Sequence, residues 1–387
     1  MRFPRLHSTL LNKYLMATSI QEDFLKAVHF GSIKKIGKLK RQGANIHSPG
    51  PDGLPPICIA AKNGFLDVIN LLIKFGADVN TSIGVGVCPL YIAAHHGQTE
   101  VLRTLVEHGA HIDASAYGGI TPLMAAAHAG HSYTVRMLVR LGADIEAVDS
   151  DGHGPIVFAG DHVDVIAALI ELGADLNARC AAGRTPLSYA AEAGHKNAVT
   201  LLCKAGADVD IASYEGVRPM YVAARSGHAE IVRTLVQFGA SVRSCPSAVS
   251  AVMAAAVRGH AEVVRTLYRL GMNILSTDKF VPFPMENINE AGPEAPTEGL
   301  LVRAGFPCDY TSALAFIDNT IEATRKECGC CGSKVESSSV CGSCGRVSYC
   351  SRACQVKHYR TVHKIECTLA KKEVGNSSNN DWRGHLL

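Results

Sequence analysis

From about residue 20 to residue 275 the apolar positions form a figure in two parts, repeated along the chain. The first part opens on proline, carries a pair of alanines and closes on glycine, as in CPLYIAAHHG (88–97), TPLMAAAHAG (121–130), TPLSYAAEAG (185–194) and RPMYVAARSG (218–227). In the second part Val and Leu recur at three- and four-residue spacing, as in VLRTLVEHG (101–109) and IVRTLVQFG (231–239). That spacing predicts a helix with one apolar face. Proline suits the first turn of the preceding helix, where its missing N–H would have no partner anyway. Paired alanines let backbones approach closely, and the closing glycine allows a sharp reversal without a Cβ penalty. The pattern therefore predicts helix, turn, helix and hairpin in succession.

The same ending punctuates each unit: GANI at Gly43, GADVN at Gly76, GAHID at Gly109, GADIE at Gly142, GADLN at Gly173, GADVD at Gly206, GASVR at Gly239 and GMNIL at Gly271. Successive spacings are 33, 33, 33, 31, 33, 33 and 32 residues, so the chain is a repeat before it is anything else. The units resemble ankyrin repeats. The resemblance implies a mainly α solenoid of about eight units over 20–275. It also implies a concave surface of hairpin tips and first helices that binds proteins and rarely catalyses. Stacked units pool their small cores and leave an extended face free, which agrees with that expectation.

Three departures stand out. The unit DGHGPIVFAGDHVDVIAALIELGAD (151–175) is two residues short, with the loss between Phe158 and Val163. The unit at 245–259 has Ala251 where the others have proline. After Gly271 comes TDKFVPFPMENINEAGPEAPTEG (277–299), rich in proline and acid and expected to be a linker or insertion. GLLVRAGFPCD (299–309) is a candidate decayed ninth unit, and TSALAFIDNTIEATRKE (311–327) is expected to be a helix.

Two registers on the first helices supply candidate partner-binding residues. The position after the alanine pair reads Lys62, His95, His128, Glu192, Arg225 and Val257; an earlier one reads Tyr91, Met124, Ser188 and Tyr221. The candidates are Tyr91, His95, Met124, His128, Glu192, Tyr221 and Arg225, set against the plainer expectation of solvated or packing residues. Their mixture of aromatic, methionine and both charge signs suits a protein or peptide and not a phosphate backbone, which wants a continuous basic stripe. The histidines form no compact ligand set. Cys58, Cys88, Cys180, Cys203, Cys245 and Cys308 are scattered and expected to be small apolar residues.

Cysteine changes the picture at the other end. Residues 328–367 hold eight of the 14 cysteines, as Cys328-x2-Cys331, Cys341-x2-Cys344, Cys350-x3-Cys354 and a final His363-x3-Cys367, with Cys330 beside the first pair. Four close pairs give eight ligands, the number that closes two tetrahedral zinc sites. A two-residue gap lets both thiolates reach one ion, and a three-residue gap does so across a helical turn. A disulfide framework would leave His363 without a role. The segment resembles a MYND finger through its cysteine pairs, the Tyr349-Cys350-Ser351 step, Cys354-Gln355 and His363-Lys364 leading to Cys367. The resemblance implies interleaved sites: Cys328, Cys331, Cys350 and Cys354 on one ion, Cys341, Cys344, His363 and Cys367 on the other. It also implies a groove for short, often proline-containing peptides. Tyr359 stands where the family usually has Trp and is a further candidate for peptide contact. Cys330 and His358 compete as ligands, and a RING-like module shares the cross-braced logic. A full ligand set leaves no position for water, so both ions are expected to be structural and to fold a segment too small for its own core.

Charge and length bound the rest. A formal net charge of +3 over 387 residues argues against a dedicated polyanion binder, although 325–372 carries ten Lys/Arg against three acids. No run of 18 apolar residues marks a membrane span. The first 21 residues have Arg2, Arg5 and Lys13 and no acid, which fits a mitochondrial presequence or, more plainly, a loose extension with Met16 an alternative start. The expected organisation is an extension (1–19), the repeat array (20–275), a linker (276–327), the finger (328–367) and a tail (368–387). The expected function is a non-enzymatic adaptor or scaffold in the cytoplasm, the nucleus or both. It would bind proteins and no small-molecule substrate. A RING-like ubiquitin ligase component and a transcriptional regulator touching nucleic acid through the basic finger are the alternatives.

Overall fold

A computed structural model of the chain describes residues 19–241 and 246–270, together with Asn319 and two short strands, β1 (Ser339–Val340) and β2 (Ser348–Tyr349). The zinc-ligand candidates, Tyr359, Cys245, Cys308, both chain ends and, apart from Asn319, the linker lie outside the described residues. The chain divides into two compact units, Met1–Pro186 and Leu187–Leu387.

The first unit begins with a helix over residues 19–29, α1, and α2 (Ile33–Arg41). Four further helix pairs follow: α3 (Pro56–Asn63) with α4 (Leu66–Lys74), α5 (Pro89–His95) with α6 (Thr99–Glu107), α7 (Pro122–His128) with α8 (Ser132–Arg140), and α9 (Pro155–Phe158) with α10 (Val163–Glu171). First helices pack on first helices, α3 to α5 to α7 to α9, and second helices form a parallel row, α2 to α4 to α6 to α8 to α10. Ala93, Ala94, Ala126 and Ala127 are wholly buried, so the first row is close because its contact residues are only a methyl deep. Val101, Leu102 and Leu105 of α6, also buried, show how the second row presents one apolar stripe to both neighbours.

The GAD signature builds the hairpins. Oδ1 of Asp78 accepts the N–H of Asn80 at 2.9 Å, and Asp144 and Asp175 do the same for Glu146 and Asn177 at 2.9 Å. Each is an aspartate capping its own turn two residues on. The capped residue then reaches the next hairpin. Asn80 accepts from the N–H of His111 and donates to the carbonyl of Gly109, both at 2.9 Å; Asp113 accepts from Asp144 N at 3.2 Å and Glu146 from Asp175 N at 2.8 Å. Four letters thus specify both the turn and its attachment to the neighbouring hairpin.

The second unit carries most of α11 (Pro186–Ala193), then α12 (Lys196–Lys204), α13 (Pro219–Arg225), α14 (Ala229–Gln237), α15 (Pro246–Val257) and α16 (Ala261–Arg269). It repeats the same rules: α13 packs on α15, α12 on α14 and α14 on α16, with Asp210 accepting from Ser241 N at 3.0 Å. Two sequence departures acquire a physical form. The short unit loses helix and not hairpin, since α9 has four residues where α7 has seven. With no proline at position 251, α15 is twelve residues long and begins upstream at Pro246, which takes the tolerated first position. Among the described residues no helix is long and apolar enough to cross a membrane.

Candidate docking surface

Each first helix starts from an N-cap residue. Thr121 Oγ1 accepts the N–H of Met124 at 3.3 Å, and Met124 Sδ accepts the N–H of Thr121 at 3.4 Å, so cap and third residue bond reciprocally. Cys88 stands in the position of Thr121 and caps α5 with sulfur, Sγ accepting from Tyr91 N at 3.4 Å. Its thiol is thus a cap as well as a small buried side chain. Burial pushes the Cys88 pKa up and the bond from Tyr91 works against that shift. Cys58, Cys180 and Cys203 are buried and form no disulfide.

The far end of each first helix is where candidates meet solvent. Lys62, His95 and His128 are exposed at the ends of α3, α5 and α7, and His96 beside His95 is exposed too. In the second unit the matching Glu192 and Arg225 are half-buried and bonded to each other, Arg225 Nη2 donating to Glu192 Oε1 at 2.6 Å. Val257, at the end of α15, is 37% exposed. The earlier register behaves differently. Tyr91 and Tyr221 are half-buried, whereas Met124 is 0% and Ser188 2% exposed. Met124 is therefore a core and capping residue and not part of a binding face: its sulfur folds back onto Thr121. At that register Val157 of the shortened α9 is half-buried too, so exposure varies from repeat to repeat. Tyr359 falls outside the described residues.

The carbonyls at this end are held by a ladder. His131 Nε2 donates to the carbonyl of His95 and His162 Nε2 to that of His128, both at 3.1 Å. In the second unit His228 donates to Glu192 at 3.0 Å and His260 to Arg225 at 3.1 Å. Gln98 takes the same place with its amide on the Lys62 carbonyl at 3.3 Å. Each ring lies over the glycine that closes the preceding helix. A Cβ on Gly130, whose φ is +80°, would sit 2.8 Å from Nδ1 of His162. That glycine is needed for its left-handed backbone and for the space above it. These histidines are structural, a role not assigned from sequence; the signal was there, as His131, His195, His228 and His260 all follow such a glycine.

One cluster has the composition of a cation site. Asp149, Asp151 and His153 place ligand atoms within 4.8 Å of one another in the hairpin before α9. Asp149 Oδ1 already accepts the N–H groups of Asp151 at 2.9 Å and His153 at 2.7 Å, and Oδ2 meets His153 Nδ1 at 3.1 Å. Burial alone would raise the Asp149 pKa, but the bonds from the His153 backbone and ring outweigh it and hold the carboxyl below its ordinary range. The cluster locks the hairpin that leads into the shortest first helix.

Of the terminal segment, β1 and β2 are described. They pair antiparallel, Ser339 opposite Tyr349 and Val340 opposite Ser348. Cys341 follows β1 directly in the chain and Cys350 follows β2.

Comparison with known proteins agrees with the architecture. The family model described as ankyrin repeats (3 copies) matches residues 24–116, 57–149, 123–213 and 210–278, and the MYND finger model matches 328–367. An F-box protein of Arabidopsis thaliana, At5g50450, is 45% identical over 42 residues, which is 9% of this chain and 12% of that protein. The chain therefore spans about an eighth of the curated relative it matches. The fold is a mainly helical ankyrin-repeat solenoid followed by a MYND-type finger. Modules of both kinds mediate protein–protein contacts and are not enzymes, and MYND fingers bind zinc.

Proposed function

This chain belongs to the ankyrin-repeat family and also carries a MYND finger, and from that premise we propose that it is an adaptor. The first-helix face of its repeats holds one protein, and the finger docks a peptide motif of another. The observation that carries the reading is the division of labour at the ends of α3, α5 and α7. Their carbonyls bind the next repeat, while the side chains of Lys62, His95 and His128 are left to solvent. A residue whose backbone is structural and whose side chain is free is suited to contact a partner.

The donor set of the finger, seven thiols and one imidazole, fits two closed zinc sites. Cys328, Cys331, Cys350 and Cys354 would hold one ion, and Cys341, Cys344, His363 and Cys367 the other. Bound there, zinc supplies a cross-link that folds the segment and leaves no open position for chemistry. The antiparallel strands support interleaving, since the chain leaves β1 towards Cys341 and β2 towards Cys350 at opposite ends of one ladder. The buried thiols of Cys58, Cys88 and Cys203, in no disulfide, suit a reducing compartment, cytoplasm or nucleus.

Quantitative affinity capture from cells tests the adaptor reading. It compares the full chain with Cys341→Ser/Cys344→Ser, zinc content being measured on both. The expected result is that zinc falls in the variant, that one set of partners disappears and that another stays with the repeats. An unchanged partner set would remove the two-ended adaptor.

A further inference from the structure

The first-helix ends of the two units differ in charge. Glu192 and Arg225 neutralise each other in the second unit. In the first unit the column holds Lys62, His95 and His128 with no acid among them, and His96 beside it. None of the four forms an ion pair among the described residues. All four cluster at the C-terminal ends of helices, where the backbone carries partial negative charge and favours cations. The His95 and His96 rings meet edge to face, with centroids 5.1 Å apart.

We propose that the surface formed by Lys62, His95, His96 and His128 takes an acidic peptide segment of the partner, and that it takes it more tightly as pH falls below neutrality. The inference rests on the adaptor reading and specifies the partner's chemistry at the repeat end. Charge complementarity carries it: a row one repeat apart, one lysine and three imidazoles with no acid among them, calls for carboxylates at similar spacing.

The neighbouring charges decide the direction of the pH effect. Against α5, helix α3 brings Lys62, α7 brings His128 with His131 in the turn beyond, and α6 brings Glu100, Arg103 and Glu107. Against α7, helix α8 brings Arg136 and Arg140, and α9 brings no charge. Glu100 pairs with Arg103 at 3.6 Å on the second row. Partial burial first, and then His128 and His131, lower the pKa of His95. Partial burial, His95, Lys62 and His131 lower that of His96. Among the described residues no carboxylate acts on either ring. The free protein thus resists charging this patch, and a ligand carboxylate would relieve the repulsion and favour the protonated rings. Glutamate side chains, with an ordinary pKa near 4.3, keep their charge at pH 5.5, which lies below the ordinary pKa of an imidazole.

The test uses the full chain and fluorescence anisotropy with a rhodamine-labelled twelve-residue peptide of alternating Glu and Leu. Its Lys/Leu counterpart and a single-stranded DNA of equal charge are run beside it at pH 7.5 and 5.5. The expected result is at least about tenfold tighter binding of the acidic peptide at the lower pH, weak binding of the other two, and a pH effect of no more than about twofold in His95→Gln/His96→Gln/His128→Gln. These side chains are exposed and the ladder uses their carbonyls, so an unchanged melting curve checks that the variant is folded. Acidic-peptide binding that ignores pH, or a triple variant that keeps the full effect, overturns the proposal. DNA bound as tightly through the same histidines overturns the peptide in favour of a polyanion. If capture still finds partners held by the repeats while the acidic peptide fails at both pH values, this inference falls and the adaptor reading stands.

Discussion

Cys58 shows how much one side chain depends on its place. It lies wholly buried in α3, at the same register as Met124 of α7, and burial with a smaller push from Cys88 raises its pKa from 9.0 to about 12. Between those values the folded protein keeps a proton that the unfolded chain has lost. Stability from this thiol is therefore complete below pH 9 and is lost as pH rises towards 12, at about 1.4 kcal/mol per pH unit where the slope is steepest. Urea denaturation at pH 8, 9, 10 and 11 should show a steeper alkaline loss for the native chain than for Cys58→Ala; equal slopes would place the loss elsewhere. The register itself was readable in the sequence, but which way its side chains face was not. Tyr91 reaches the surface and Met124 does not, because length and a backbone bond to Thr121 decide the matter, and neither follows from spacing.

At the scale of elements, α6, α8, α10, α14 and α16 each reach back from the N-cap to the first helix of the preceding repeat through a side-chain bond to a carbonyl. Nature of the donor matters less than its reach, since Gln98 does for α3 what His131 does for α5. His131→Gln should accordingly keep most of the stability, while His131→Ala should cost about 1–2 kcal/mol by leaving the His95 carbonyl without its donor. Equal losses in both, read from denaturant midpoints, would point to ring packing over Gly97 as the larger contribution. Helices and hairpins were legible because proline, paired alanine and GAD each answer a local backbone need. The exceptions were legible only as exceptions. The two missing residues near Phe158 did not say whether helix or turn was cut, and the absence of proline at 251 did not say that α15 would reach back to Pro246.

For the whole molecule, the repeats draw their stability from burial between neighbouring helices, whereas the finger is too small to do so and would depend on metal. Removing zinc with a strong chelator should therefore leave the helical circular dichroism and main melting transition of the chain nearly unchanged, within about 2 °C. It should also release about two equivalents of zinc. A large fall in helicity on chelation would mean that the repeat array leans on the finger. The repeat array and the finger were readable because recurring glycine endings and closely spaced cysteine pairs are strong signals. The proposed partner surface was readable only in part: its positions recur, but its charge asymmetry emerged once Glu192 and Arg225 were seen to satisfy each other.

The ladder that ties one repeat to the next accepts through a backbone carbonyl, a group every amino acid supplies. Lysine, histidine, glutamate and arginine all occupy the accepting position in this chain, and the bond is made each time. Heredity can rewrite the side chains there without endangering the scaffold. A lineage carrying such a chain is free to exchange one binding specificity for another by single substitutions, each tried on a protein that still folds.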